Sequence, residues 1–114
     1  MLDFLLAVRL EPEPKGRLSA WGGLLDVADE HGLWSFSLGA DDLHRLPGGM
    51  LWGSFPDEAA ALAALDAALA SAGALLGYPV RARTRIACQA GAVGMGRADS
   101  AIAQAEALLY PVTL

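Results

Sequence analysis

Apolar and polar residues alternate from the first positions of the chain. Leu2, Phe4, Leu6, Val8 and Leu10 share one face of a strand, and Asp3, Leu5, Ala7, Arg9 and Glu11 share the other. The second face is polar at its ends and apolar in its middle, which predicts a central strand with a partly covered outer side. Pro12, Pro14 and Gly16 then mark a loop. The stretch 33–38 predicts a second strand with Trp34, Phe36 and Leu38 inward, and 50–55 a third. In a fourth, Val80, Ala82, Thr84, Ile86 and Cys88 alternate with Arg81, Arg83 and Arg85, putting the arginines on one face.

Between these stretches the period lengthens. Across 18–31, Trp21, Leu24, Leu25 and Ala28 recur at helical spacing, with Ser19 as N-cap and Gly32 as stop. Gly22 and Gly23 each cost such a helix about 1 kcal/mol, so a hairpin turning at 29–32 is the rival. A longer helix is predicted over 56–76, capped by Ser54 with Asp57 three residues on and stopped by Gly77. Its stripe is Leu62, Leu65, Leu69, Ala72 and Leu76. The flanks are nearly all alanine, which predicts contact on more than one side. A last helix over 100–110 faces inward with Ile102, Ala105 and Leu109, and Pro111 ends it.

The resulting order predicts an α+β chain. The expected fold is a ferredoxin-like βαββαβ sandwich with an additional C-terminal helix, a single domain spanning 1–114. The first and third strands are then central. The arginine-bearing fourth is an edge, where charge blocks aggregation.

Composition narrows the partners. Hydrophobic residues make up 54% and charged residues 18%, so the chain can bury a core; the formal net charge of −5 argues against a broad nucleic-acid or anionic-membrane surface. The lone Cys88, on an apolar face, reads as a structural thiol in a reducing compartment, which makes the cytoplasm the expected location. The start lacks a basic region, and Asp3 and Arg9 interrupt its apolar run, so no signal peptide is expected. The apolar stretch 59–76 is expected to be a packed helix rather than a membrane span, because Asp66 sits in its middle and no basic flank anchors it.

The segments GGMLWGSFPDEAAALAALDAAL, VRARTRIACQAG and AIAQAEALL resemble the class III nucleotidyl cyclase catalytic domain over about residues 48–109. That family has a ferredoxin-like core with a glycine turn, an "FP" step, an alanine-rich helix, a "VRIGIHTG"-like strand and an "AARL"-like helix. The resemblance implies the same core in a degenerate form. The family's two metals are held by an aspartate at the end of the first strand and another in the glycine turn. Here those places read Arg9, Leu10, Glu11 and Pro47, Gly48, Gly49, and most of the nucleotide-binding segment is missing. Two-metal chemistry is therefore not implied.

The candidate chemistry is sparse. The stripe of Arg81, Arg83 and Arg85, or the loop after it that contains Gly91, Gly94, Gly96 and Arg97 before a helix start, is a candidate site for a small anion such as a nucleotide or phosphate. Asp99 opposes it by placing a negative charge where the anion would sit. Asp41, Asp42 and His44 are metal-ligand types but too few for a closed site, and Asp26, Asp29, Glu30 and His31 read as a solvated face. No Ser/His/Asp, HExxH or CxxC set is present, so neither catalysis, cofactor nor metal is expected. The outer sheet face offers more. Leu5, Ala7, Met50 and Trp52 are expected to form an exposed apolar patch, by which a small interaction module dimerises or holds a partner. The rival is cover by 112–114 or by the first loop.

Overall fold

A computed structural model describes residues 1–36 and 48–89. The predicted glycine loop, the Asp41, Asp42 and His44 triplet, the helix over 100–110 and the tail lie outside them. The described chain is α+β, with one four-stranded antiparallel sheet and two helices. Its order is β1 (Leu2–Leu10), α1 (Ala20–Ala28), a 3₁₀ turn (Asp29–His31), β2 (Trp34–Phe36), β3 (Gly48–Phe55), α2 (Glu58–Leu76) and β4 (Ala82–Gln89). The strands lie in the order β2-β3-β1-β4, so β1 and β3 are central.

Both helices pack on one face of the sheet. Phe4, Leu6, Val8 and Leu10 of β1 meet Leu24 and Val27 of α1 and Ala61, Leu65 and Ala72 of α2. β1 is buried from Phe4 to Val8 without a break, as its apolar middle predicts for a central strand.

The ambiguous stretch after the first loop is helical. Ser19 caps α1 by accepting from the Gly22 N–H at 3.3 Å, and Gly32 closes the 3₁₀ turn at φ 75°. The glycines that weaken this helix are explained by packing. A Cβ on Gly23 would lie 2.5 Å from Leu76 Cδ1, so Gly23 lets α1 settle against the end of α2.

Helix α2 departs from expectation at its start. Its cap is Asp57, whose Oδ1 accepts from the Ala60 N–H at 2.8 Å. Ser54, the expected cap, instead donates to Asp3 Oδ1 at 2.5 Å across β1 and β3. The sheet and α1 both pack against it, as its alanine-rich flanks predict, while Ala59, Ala63, Ala67, Ala70, Ala74 and Leu75 are exposed. By length and composition α2 could cross a membrane, with a mean hydropathy of 1.8. In the folded chain its Ala61, Leu65, Ala68 and Ala72 face is buried against the sheet and α1.

Candidate functional site

The outer sheet face is built by residues that alternate with the core set. Antiparallel register places Leu5 opposite Trp52 and Ala7 opposite Met50, while Trp34 of β2 stands opposite Trp52. All five share the face turned away from the helices. Trp34, expected to point inward, is therefore outward. The core side at this point is filled by its neighbour Leu33, which is fully buried.

The expected apolar patch is smaller than its pattern suggests. Leu5, Ala7 and Met50 are 3%, 2% and 0% exposed in the single chain, so its own atoms cover them. This corrects the expectation that all four patch residues face solvent. The first loop is not the cover, because it runs beside Tyr78 to Arg81, near the start of β4. Trp52 stays 40% exposed and Trp34 47%. Their ring centroids lie 6.5 Å apart with the planes tilted by 43°, so they form one aromatic surface across β2 and β3.

The arginine stripe does not survive as a stripe. Arg9 pairs with Thr84 but Leu10 pairs with Ala82, which leaves Arg83 as an extra residue in a bulge. Alternation changes phase there. Ala82 joins Leu10 on the core face, whereas Thr84 and Ile86 share the outer face with Arg9 and Ala7. Arg85 pairs with Val8 on the helix side, where its Nη1 lies 3.0 Å from Asp66 Oδ1 and donates to the Leu62 carbonyl at 3.3 Å. Arg85 is thus engaged by α2. Arg81 and Arg83 are exposed. Gly91, Gly94, Gly96 and Arg97 lie outside the described residues.

One further polar pair ties two elements together. His31 Nε2 and Ser71 Oγ are 2.9 Å apart and join the 3₁₀ turn to α2. No group of three or more possible metal ligands is found among the described residues. Two grooves flank the segment from Tyr78 to Arg81. One, of about 430 Å³, is floored by Leu69, Gly73 and Val80; the other, of about 250 Å³, is walled by Glu11 to Pro14 and Ala20. Burial raises the Tyr78 hydroxyl above its ordinary pKa, Glu13 adds to that push, and Arg17 opposes it. The smaller groove was not visible in the sequence, since it joins residues about sixty positions apart, whereas the larger is lined by residues 69–81 alone.

Comparison with protein-family models, with curated proteins and with solved structures finds no match for this chain.

Proposed function

We propose that the chain is a small interaction module of ferredoxin-like fold, and that it associates with a second copy of itself through Trp34 and Trp52. The sheet order and the alternation of strands and helices support the fold reading. The paired, outward tryptophans carry the functional one. Large aromatic side chains left in water cost hydrophobic free energy that a partner recovers, and tryptophan is among the residues most enriched at binding hot spots. A two-fold contact would set one tryptophan pair against the other.

The exposed parts of two such rings amount to roughly 200 Å² per copy. A stable interface takes about 800 Å² per partner. The tryptophans therefore form the centre of a contact at the weak, concentration-dependent end of the range. Sedimentation across a concentration series tests the reading. The native chain is expected to shift from monomer to dimer, while Trp52→Glu and Trp34→Glu stay monomeric with unchanged circular dichroism. A native chain that stays monomeric at every concentration overturns it.

A further inference from the structure

The first loop is held at its two ends and its middle. Glu11 N–H donates to the Arg81 carbonyl at 2.9 Å. Glu13 Oε2 accepts from the Ala20 N–H at 2.9 Å, adding a second cap to α1 beside Ser19. The Tyr78 hydroxyl donates to the Leu18 carbonyl. A turn closed by Arg17 N–H and the Pro14 carbonyl, 3.1 Å apart, rounds the far end. Between these pins every residue from Glu11 to Ser19 is exposed, and Leu18 is 73% exposed. The segment contributes nothing to the buried core. It nevertheless forms one wall of the 250 Å³ groove, and that groove shares Tyr78, Pro79, Val80 and Arg81 with its larger neighbour.

We propose that residues 11–19 are a strap latched by Tyr78 and Glu13, which opens as a unit while the rest of the fold stays closed and so uncovers the Tyr78–Arg81 wall of the smaller groove. A segment held by a few hydrogen bonds and no buried side chain has a local opening free energy far below that of global unfolding. Tyr78 suits the latch because its ring is anchored in the core at 8% exposure while its hydroxyl reaches the strap. Removing that hydroxyl deletes one pin and leaves the ring in place. Pro12 and Pro14 stiffen the strap, so it moves as a piece.

Lys15 and Arg17 lie at the exposed crown and offer trypsin two sites whose fragments are identified by mass. Cleavage of a transiently opened segment follows the population of the open form. Tyr78→Phe is expected to raise cleavage at these two sites by roughly twofold to tenfold, the range of one neutral hydrogen bond. Glu13→Ala is expected to act in the same direction, and the double variant to exceed either. In all of them the rate should rise only shallowly with urea, because little surface is exposed on local opening. Unchanged rates at Lys15 and Arg17 in both single variants overturn the latch. Rates that climb steeply with urea, in step with global unfolding, overturn the strap as an independent unit.

Discussion

A Cβ added at Gly53 would lie 2.5 Å from the Gly32 carbonyl oxygen and 2.6 Å from the Phe55 ring. Gly53 and Gly49 pair with Phe4 and Val8, so both face the helix layer on either side of the buried Leu51. At Gly49 the same space is filled by the Trp21 ring, 2.6 Å from where a Cβ would stand. The missing side chains let α1 and its 3₁₀ extension sit close on β3. At Gly53 the obstacle includes backbone, which cannot swing aside. Gly53→Ala is therefore expected to destabilise the fold by about 2–3 kcal/mol, as overpacking of a tight core does. Gly22→Ala meets only Ser19, at 3.7 Å, keeps the capped N–H and improves helix propensity. It should stabilise by about 0.5 kcal/mol. Urea midpoints at constant slope measure both, and equal effects at the two glycines would contradict this packing. These opposed roles are hidden in the sequence, because each is set by a neighbour that only the fold supplies.

Element starts and stops were legible where a local hydrogen bond decides them. Ser19 and Gly32 bracket α1 and its 3₁₀ extension, and Gly77, at φ 78°, stops α2. The start of α2 was misplaced because Ser54 and Asp57 are both good caps and only the fold shows Ser54 bonded to Asp3. Replacing the true cap should cost more. Asp57→Ala is expected to lose about 1 kcal/mol, with Asp57→Asn close to neutral, because the side chain that accepts from Ala60 is removed only in the first. Ser54→Ala removes an exposed bond and should change stability by less than about 0.5 kcal/mol. The reverse order in thermal or chemical melts would return the cap to Ser54. The β4 bulge was less accessible still. Arginine recurs at every second position through Arg85, so the sequence keeps a perfect period of two across the place where the strand changes phase. Which face an arginine takes is settled by pairing with β1, a contact about seventy-five residues away in sequence.

At the scale of the whole molecule, the described residues separate their charges. Leu2 of β1 stands opposite Phe55 of β3, so β1 begins at the end where β3 finishes and α2 starts. Asp3, Asp57 and Glu58 gather there, and the antiparallel return of α1 brings Asp29 and Glu30 to the same end. The opposite end carries Arg9, Lys15, Arg17, Arg81 and Arg83, with Glu11 and Glu13 among them. Two modes of self-association follow, and salt distinguishes them. Copies that join basic end to acidic end come apart as ions screen the attraction. Copies that join through the Trp34 and Trp52 surface bury apolar area while two chains of formal charge −5 repel each other. Screening then removes an obstacle, since the Debye length falls from about 30 Å at 0.01 M salt to about 10 Å at 0.1 M. The tryptophan-centred dimer is therefore expected to tighten by a few-fold over that range, and a further rise to molar sulfate should tighten it again by strengthening apolar burial. Sedimentation at fixed protein concentration and rising salt reads the result. Dissociation on adding salt would assign the contact to the charged ends and leave the two tryptophans without the role argued for them.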